Sequence, residues 1–463
     1  MYYENDIISA ISTPFGRGGI AVIRISGAGS GELAEKIFSP ASGKKLRDYQ
    51  PNRAVYGSIR SEGHIIDDGV AVYFRAPRSF TGEDTVEISC HGGIFLAKTV
   101  LEASFRAGAR PANAGEFTQR AFMNGKLSLT QAEAVIDSID AENEEQLRLS
   151  RSAVSGVISR EVSDIFEKLM TVISEIAVDI DYPGEDLSGT DDDQLTSDIE
   201  SVAARLEKLK KSYNTGKAIA RGIDAVICGK PNVGKSSLLN RLLGEDRAIV
   251  TDAAGTTRDT LEETVTIGKV MFRLTDTAGI RESSDDIENE GIRRAKEKLG
   301  KAGLVIAVFD LSREPDKDDA DLIASLDPAK TAAVFNKCDS VLECSPDIRS
   351  TVALYGEFAH TLTVSTLTGE GIDELKNTLE KMFVDSEIDY STQAIISNAR
   401  QYAAVCAAYD HTANALEALR SGMFRDAVSL DLESAASALG ELDGRNISEQ
   451  TVEMIFHRFC VGK

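Results

Sequence analysis

One short segment constrains this chain more than any other. Residues 229–236 read Gly-Lys-Pro-Asn-Val-Gly-Lys-Ser, and they lie between an apolar strand pattern at 225–228 and a helical pattern at 238–243. Strand, glycine-rich turn and helix in this order predict a phosphate-binding loop, because glycines let consecutive backbone amides face one anion at a helix N-terminus. We expect Lys235 to reach the β- and γ-phosphates of a nucleotide and Ser236 Oγ to bind Mg²⁺.

Two segments further along the chain predict that the bound group is a triphosphate with Mg²⁺. Thr256 and Thr257 lie in a loop where a threonine completes the Mg²⁺ shell and senses the terminal phosphate. Asp-Thr-Ala-Gly at 276–279 follows a strand pattern at 272–274. We expect its aspartate to hold Mg²⁺ through water and its glycine amide to contact the γ-phosphate.

Two later segments predict which base the site accepts. Asn-Lys-Cys-Asp at 336–339 follows another strand pattern, and the Asp339 carboxylate can accept hydrogen bonds from both N1–H and the 2-amino group of guanine. Adenine lacks this pair of donors, so the pairing selects GTP over ATP. Ser-Thr-Leu at 365–367 ends a strand, where a backbone amide can meet guanine O6. All these segments in this order predict a GTP-binding domain.

One position departs from the pattern of Ras-type enzymes. Those enzymes place a water-orienting glutamine directly after the Asp-Thr-Ala-Gly segment, whereas this chain has Ile280. Either hydrolysis is slow or another residue orients the water, and the acid-rich loop 281–290 offers candidates. Asn232 indicates a second way in which hydrolysis could be assisted. Its side-chain oxygen can coordinate a monovalent cation that supplies the charge an arginine finger supplies elsewhere.

Composition limits the remaining possibilities. A chain of 463 residues corresponds to about three domains, and its net charge of −23 argues against bulk coating of nucleic acid. Residues 1–118 hold 13 basic and 13 acidic side chains, so the acidic excess lies beyond them. No run of about 18 apolar residues, no signal-peptide pattern and no Cys-x-x-Cys pair occurs in the sequence. These absences favour a cytoplasmic protein with no membrane contact.

The spacing of apolar residues predicts three kinds of region. Residues 1–118 alternate short strand patterns, one of them at 70–74, with glycine-rich turns and one helix at 94–107, which indicates an α+β domain. Residues 119–216 and 384–463 have helical periodicity, which includes one helix at about 193–213. Residues 217–383 follow a βαβ pattern instead. We infer one discontinuous α-helical domain with an α/β domain inserted in it.

Short segments spread along the whole chain resemble one bacterial family. They lie at 13–19, 79–84, 91–93, 115–118, 129–134 and 254–259, and the chain ends in Phe-Cys-Val-Gly-Lys at 459–463. Together they resemble the tRNA-modification GTPases MnmE (TrmE), which usually end in Cys-Ile-Gly-Lys, so Val461 is a mild departure. The resemblance implies a folate-binding-like α+β N-terminal domain, a helical domain built from both flanks, and an inserted Ras-like α/β P-loop GTPase domain.

The resemblance also implies partners and a reaction. Members of the family form a homodimer through their N-terminal domains, and their GTPase domains meet across the nucleotide faces with the aid of K⁺. With an FAD-dependent MnmG (GidA) partner they add an aminomethyl or carboxymethylaminomethyl group at C5 of the wobble uridine (U34) of tRNA. A 5-formyl-tetrahydrofolate-type cofactor supplies the one-carbon unit, and GTP hydrolysis drives domain opening and closing.

Motifs and resemblance together assign the nucleotide site. The predicted GTP-binding residues are Asn232, Val233, Gly234, Lys235, Ser236, Ser237, Thr251, Asp252, Ala253, Ala254, Gly255, Thr256, Thr257, Asp276, Thr277, Ala278, Gly279, Asn336, Lys337, Asp339, Ser365, Thr366 and Leu367. The predicted metal ligands are Ser236 and Thr257 for Mg²⁺, and Asn232, Thr251, Ala253 and Thr256 for K⁺. Glu288 falls where the family's water-orienting glutamate lies, and Arg258 and Arg281 are expected to support the switch loops.

For the N-terminal domain, the resemblance assigns folate binding to Arg24, Glu87, Lys126 and Lys463. The chemistry fits, because a pterin pairs with a carboxylate and a glutamate tail suits lysine or arginine. Cys460 is predicted to lie near the folate and to take part in the modification chemistry. An equally simple interpretation makes it a small apolar residue at the final helix.

Two other functions remain open at the level of sequence. A regulatory GTPase switch in ribosome assembly would share the nucleotide site, but a K-homology domain or a basic extension, which would favour it, is not evident. A folate-dependent aminomethyltransferase gated by GTP would share both sites.

Overall fold

The computed structural model describes residues 6–181, 191–244, 262–276, 299–341, 358–386 and 392–462, together with residues 352, 355, 388 and 389. The chain divides into two compact units. The first unit comprises Met1–Ile136, Ala153–Val202 and Ala407–Lys463, and the second comprises Asp137–Ser152 and Ala203–Cys406.

The N-terminal part of the first unit is built on one mixed sheet. Its strands are β1 (Ile8–Ile11), β2 (Ile20–Ser26), β3 (Phe38–Pro40), β4 (Ala54–Ser61), β5 (His64–Phe74), β6 (Thr85–His91) and β7 (Arg110–Pro111). The seven strands follow the order β3-β4-β5-β6-β2-β1-β7. The helices of this part are α1 (Ser30–Ile37), α2 (Ile94–Ala107) and α3 (Glu116–Met123).

Alternation along β2 explains how this sheet acquires two different faces. Ala21, Ile23 and Ile25 are buried in a core that also contains residues of α1 and α2. The residues between them lie on the other face, because successive side chains of a strand point to opposite sides. Arg24 is therefore on the face opposite α1 and α2, where Phe117 of α3 lies beside its guanidinium.

Long helices follow in the chain. They are α4 (Leu129–Ile139), α5 (Glu144–Val154), α6 (Val157–Asp181) and α7 (Asp192–Arg221). Helix α6 buries Ile158, Val162, Ile165 and Leu169, whose spacing of three and four residues makes one apolar stripe. Such a stripe needs a packing partner, and the C-terminal helices of the first unit provide it.

The second unit contains an almost fully parallel sheet. Its elements are β8 (Ile223–Gly229), α8 (Lys235–Leu243), β9 (Glu262–Ile267), β10 (Val270–Asp276), β11 (Leu304–Asp310), α9 (Lys317–Ala324), β12 (Thr331–Asn336), α10 (Cys338–Val341), β13 (His360–Thr363) and α11 (Ile372–Lys381). The order is β13-β12-β11-β8-β10-β9, and only the β9–β10 pair among these strands is antiparallel. Every residue of β11 is buried, as expected for a central parallel strand.

Three helices complete the described chain: α12 (Ala399–Arg420), α13 (Arg425–Asp443) and α14 (Glu449–Phe456). In the first unit, α13 packs along α6. Arg425 at the start of α13 donates to Asp179 of α6 at 2.6 Å, which fixes one end of this helix pair.

The predicted fold class is confirmed: an α+β N-terminal part, helices from both flanks, and an α/β P-loop domain between them. The predicted limits at 118, 216 and 383 remain a prediction. Within the described ranges, no helix combines the length and the apolar character needed to cross a membrane.

Candidate functional site

The parallel sheet of the second unit gathers the nucleotide motifs at one edge. Strands β8, β11, β12 and β13 run in the same direction, so their carboxyl ends lie together. The phosphate loop 229–234 follows β8, and the segments 336–339 and 365–367 follow β12 and β13. This edge is where open parallel sheets bind ligands.

The phosphate loop has backbone conformations that its glycines make accessible. Gly229 has φ +146° and Gly234 has φ +103°, and a Cβ on Gly234 would overlap Asn336 Nδ2. Helix α8 then begins at Lys235 without a side-chain cap. The free amides of a first helical turn attract an anion, so this segment has the backbone of a phosphate site.

Lys235 is buried within this loop. Its Nζ donates to the carbonyl oxygens of Gly229 at 3.1 Å and Lys230 at 2.8 Å. Two backbone acceptors hold the ammonium at the loop, which places its charge beside the amides at the start of α8. This is the arrangement that binds β- and γ-phosphates in P-loop proteins.

Asn336 connects the phosphate loop to the loop after β13. It is fully buried, its Nδ2 donates to Val233 O at 2.8 Å, and its Oδ1 accepts from the Thr366 amide at 3.0 Å. A buried amide with both ends paired orients two loops at once. The structure thus brings three of the predicted GTP-binding segments into contact.

Asp339 and Ser365 form the part predicted to recognise the base. A hydrogen bond from Ser365 to the Asp339 carboxylate lowers the pKa of Asp339, so this half-buried group is ionised at neutral pH. Ser365 is buried, and its Oγ also accepts from the Thr368 amide at 3.1 Å. The carboxylate is therefore held by a rigid neighbour while it stays accessible to a ligand.

Sequence reasoning missed the partner of Lys337. Lys337 has φ +69°, and its Nζ pairs with Asp310 Oδ2 at 2.6 Å at the end of β11. Burial opposes ionisation of Asp310, but hydrogen bonds from Lys337 and Ser312 outweigh it and lower its pKa. The sequence contains only a weak indication of this pair, because Asp310 lies in a strand that is remote in sequence from the 336–339 segment.

Several predicted residues lie outside the described part of the chain. They are Thr251, Asp252, Ala253, Ala254, Gly255, Thr256, Thr257, Arg258, Thr277, Ala278, Gly279, Arg281, Glu288 and Lys463. Asp276 ends β10, but its side chain is also outside the description. Both predicted metal sites therefore depend in part on these residues, and the roles of Glu288 and Arg258 remain predictions. Of the K⁺ set, Asn232 is described and has φ +65°.

In the first unit, Arg24 and Glu87 occupy paired positions on β2 and β6. Arg24 Nε donates to Glu87 Oε1 at 2.8 Å. The guanidinium lies 5.7 Å from the ring centroid of Phe80 and 5.5 Å from that of Phe117, within the range of cation–π attraction. Two of the predicted folate residues are thus brought together, as partners of each other.

Lys126 contacts the loop that carries Phe80. Its Nζ donates to Pro77 O at 3.0 Å, and its Cγ would lie 3.2 Å from a Cβ on Gly82. The loop 77–82 therefore lies between Lys126 and the Arg24 guanidinium. The structure thus brings Arg24 and Lys126, two of the predicted folate residues, to one loop, and Glu87 pairs with Arg24.

The C-terminal residues dock onto the same part of the first unit. Val461 forms an antiparallel bridge with Ala114, and the Gly462 carbonyl accepts from Ser12 Oγ at 3.0 Å and from Arg24 Nη1 at 3.5 Å. Cys460 is exposed immediately before this bridge. It is not buried in the core, so the interpretation as an apolar helix residue is not supported by its surroundings.

A second charged cluster next to this site was not assigned from sequence. Arg120 is largely buried and pairs with Glu83 at 3.1 Å and Glu116 at 3.0 Å. Glu116 also accepts from Arg110 at 2.8 Å. Burial raises the pKa of Glu116, but the bonds from Arg110, Asn113 and Arg120 together hold it below its ordinary value. From sequence, the 115–118 segment contributed only to the family resemblance. Its ion pairs could not be predicted, because the cluster includes Glu83, which is distant in sequence.

The parallel sheet, its phosphate loop and the Asn336–Asp339 segment define the class: this is a P-loop GTPase. Comparison with known proteins identifies the family. The family model "GTP-binding protein TrmE N-terminus" matches residues 7–126, and "MnmE helical domain" matches residues 129–460.

Curated relatives match over the whole length. The tRNA modification GTPase MnmE of Clostridioides difficile is 38% identical over 461 residues, and that of Acetivibrio thermocellus is 39% identical over 464, each covering 100% of both chains. The Thermotoga maritima protein is 38% identical and covers 99% of this chain and 100% of its own. The chain therefore belongs to the MnmE (TrmE) family, and the resemblance inferred from its motifs is confirmed.

Proposed function

We propose that this chain is the GTP-hydrolysing component of the system that modifies C5 of the tRNA wobble uridine, with an FAD-dependent MnmG-type partner. One observation carries the proposal. The chain matches tRNA modification GTPases named MnmE from end to end, and it has both a phosphate loop and the Arg24–Glu87 site. With a net charge of −23, the chain leaves most tRNA contacts to the partner. The system works in the cytoplasm.

The experiment is a nucleoside analysis of tRNA by mass spectrometry. A strain that lacks the gene is complemented with the wild-type chain or with the Lys235→Ala variant. We expect aminomethyl or carboxymethylaminomethyl uridine at the wobble position only with the wild type. Unchanged wobble nucleosides in the deletion strain would contradict the proposal and favour the alternative of a ribosome-assembly switch.

The nucleotide site is proposed to use two metal ions. Mg²⁺ is assigned to Ser236 at the start of α8 and to Thr257, and K⁺ to Asn232, Thr251, Ala253 and Thr256. Asn232 supports the K⁺ assignment, because it lies in the phosphate loop in a left-handed conformation beside the amides that face the anion. We expect hydrolysis to be faster in KCl than in NaCl at equal ionic strength, and equal rates would remove K⁺ from the mechanism.

A folate of the 5-formyl-tetrahydrofolate type is proposed to bind near Arg24. The residues fit this group: the Arg24–Glu87 pair is partly exposed, at 19% and 28% of the side chains, and Phe80 beside it is 40% exposed. A carboxylate, a guanidinium and an aromatic ring suit a pterin and its glutamate tail. Bound folate would supply the one-carbon unit, Lys126 and Lys463 would bind its tail, and Cys460 would lie beside it.

A homodimer is proposed through the face of the first sheet that is opposite α1 and α2. Ile20 and Tyr56 lie on this face, by register, and are 66% and 60% exposed. Burial of these two apolar side chains against a second copy would be favourable. The same face carries Arg24, so a second copy would cover the folate site. Light scattering of the Ile20→Glu variant tests this, and an unchanged dimer mass would contradict it.

A further inference from the structure

An arginine of α8 holds the loop that is proposed to meet the guanine base. We call residues 365–369 the base loop. Arg241, in the last turn of α8, donates from Nε to Thr366 O at 3.0 Å and from Nη2 to Leu367 O at 2.7 Å. Both acceptors are backbone atoms, so the contact acts on the path of the loop and not on a particular side chain.

Hydrogen bonds within the loop leave one amide available. The amides of Ser365, Thr366, Thr368 and Gly369 donate to Glu370 O, Asn336 Oδ1, Ser365 Oγ and Ser365 O at 2.9, 3.0, 3.1 and 2.8 Å. In the part of the chain that the structure describes, the amide of Leu367 alone among the five has no acceptor. Leu367 is 77% exposed, so a ligand can reach this part of the loop.

The Arg241 contact fixes the direction of this free amide. The Thr366 carbonyl and the Leu367 N–H belong to one planar trans peptide, in which the two groups point in opposite directions. When the guanidinium holds the carbonyl on one side, the N–H is held toward the other. Asn336 holds the preceding peptide through the Thr366 amide, so the Leu367 donor is fixed by two independent contacts.

A fixed N–H donor selects one feature of a purine. Position 6 carries a carbonyl oxygen in guanine and an amino group in adenine, so an N–H donor there matches guanine only. Asp339 instead reads N1–H and the 2-amino group. We propose that Arg241 is a specificity-determining positioning residue, which sets the Leu367 amide as the donor to the 6-oxygen of the guanine nucleotide. This inference rests on the proposed base site at Asp339 and the base loop.

The geometry of the contact explains why an arginine serves here. Its planar guanidinium presents parallel donors that reach two neighbouring carbonyls at once, whereas a lysine ammonium is a single point of charge. Arg241→Lys can keep one of the two hydrogen bonds, so we expect it to retain part of the preference for GDP over 6-thio-GDP. Arg241→Ala removes both bonds and leaves the Thr366–Leu367 peptide free to rotate.

The test uses the full-length protein and three diphosphates, titrated by calorimetry with Mg²⁺. GDP is the reference ligand. In 6-thio-GDP the N1–H and the 2-amino group are kept, but position 6 carries sulfur, which is a poor hydrogen-bond acceptor. IDP differs from GDP only in lacking the 2-amino group. In Arg241→Ala we expect GDP affinity to fall about three- to tenfold, as for loss of one charge-oriented hydrogen bond. The preference for GDP over 6-thio-GDP should shrink toward one, and the preference for GDP over IDP should persist.

Two control variants separate the possible failures. Arg273→Ala removes a similar arginine contact, to Arg221 O and Asp224, at the opposite end of the sheet, and should leave all three affinities unchanged. Asp339→Asn should reduce the preference for GDP over IDP. An unchanged preference for GDP over IDP in Asp339→Asn would contradict the proposed base site. If that preference falls as expected, the Arg241 inference is tested separately. It is overturned alone if Arg241→Ala keeps the preference for GDP over 6-thio-GDP or weakens the binding of all three ligands equally.

Discussion

At the scale of single residues, the nucleotide site depends on backbone conformations that few residue types adopt readily. Gly229, Asn232 and Gly234 in the phosphate loop and Lys337 after β12 all have positive φ angles. A left-handed residue with a side chain is strained, and such strain persists only where neighbours hold it. The Asp310 carboxylate holds Lys337 by an ion pair, so a buried acid outside every motif supports a motif residue.

Gly234 gives the sharpest prediction for one residue. Gly234→Ala adds a Cβ that overlaps Asn336 Nδ2 at a φ of +103°, so the loop must shift or the bridge to Val233 must break. We expect nucleotide affinity to fall more than about tenfold, together with about 1–2 kcal/mol of stability from the left-handed backbone alone. Fluorescence titration with a labelled GDP measures the affinity. Gly300→Ala is the control, because a Cβ there meets nothing within 4 Å; a variant of Gly234 that binds GDP normally would contradict the assignment.

Glu288 carries a prediction about catalysis. Since Ile280 cannot orient water, removal of the carboxylate by Glu288→Ala should slow GTP hydrolysis by about a hundredfold or more, while GTP affinity stays within about twofold. Single-turnover hydrolysis and equilibrium titration separate the two effects. Glu282→Ala, in the same acid-rich loop, is the matched control and should hydrolyse GTP normally. Near-normal turnover of Glu288→Ala would exclude it from the mechanism.

At the scale of elements, the sequence predicts regular segments well and their extensions poorly. The helix expected at 94–107 is α2, with the same ends. The strand expected at 70–74 is part of β5, which begins instead at His64. Its first half, His-Ile-Ile-Asp-Asp-Gly, does not alternate apolar and polar residues, and it pairs with β4 across a turn at Glu62 and Gly63, both with positive φ. A glutamate in that conformation is not a usual turn signal, so periodicity alone could not find the longer hairpin.

Contacts between elements that are distant in sequence explain why the end of α7 and two contacts at the nucleotide site were not predicted. Helix α7 continues to Arg221, beyond the expected end near 213, because Ala218 and Ile219 are buried in the core of the second unit. Arg241 and Asp310 act on a backbone carbonyl and on a lysine that lie far away in sequence. Local spacing contains no information on such pairs, whereas the strand, loop and helix of the 229–236 segment are contiguous and lie where the sequence predicts them.

The start of α3 gives a prediction with a pH dependence. Glu116→Gln removes a carboxylate that pairs with both Arg110 and Arg120, while Asp6 still pairs with both. We expect a loss of about 1.5–3 kcal/mol, as for hydrogen bonds to charged groups. The folded pKa of Glu116 lies below its ordinary 4.5, so its stabilisation is present above pH 4.5 and is lost as the pH falls through the depressed value.

Urea denaturation of both proteins across this pH range measures the effect. The difference in unfolding free energy between wild type and Glu116→Gln should be largest near neutral pH and shrink on acidification. Glu102→Gln serves as control, since Glu102 pairs with Arg106 at 3.9 Å on the surface and such pairs contribute little. A difference that is constant with pH would show that Glu116 does not act through its charge.

At the scale of the whole molecule, each unit has a core of its own. Ile23, Ile25 and Val86 belong to a core beneath the first sheet, and Ile227, Val308 and Val334 belong to a core of the second unit around the parallel sheet. The described residues of the predicted nucleotide site all lie in the second unit, and those of the predicted folate site all lie in the first. A ligand of either site therefore acts first on the stability of one unit.

This division predicts how nucleotide changes thermal unfolding. A ligand that binds only the folded state stabilises it by about 2.7 kcal/mol at roughly a hundredfold excess over its dissociation constant. We expect calorimetry to resolve two transitions and GDP with Mg²⁺ to raise only one of them. Lys235→Ala should abolish that shift while the other transition stays in place, because Lys235 lies in the phosphate loop of the second unit and its Nζ donates to the carbonyls of Gly229 and Lys230. An equal rise of both transition temperatures with GDP would show that the two cores unfold as one cooperative body. Any effect of nucleotide on the predicted folate site would then follow from the stability that the two units share.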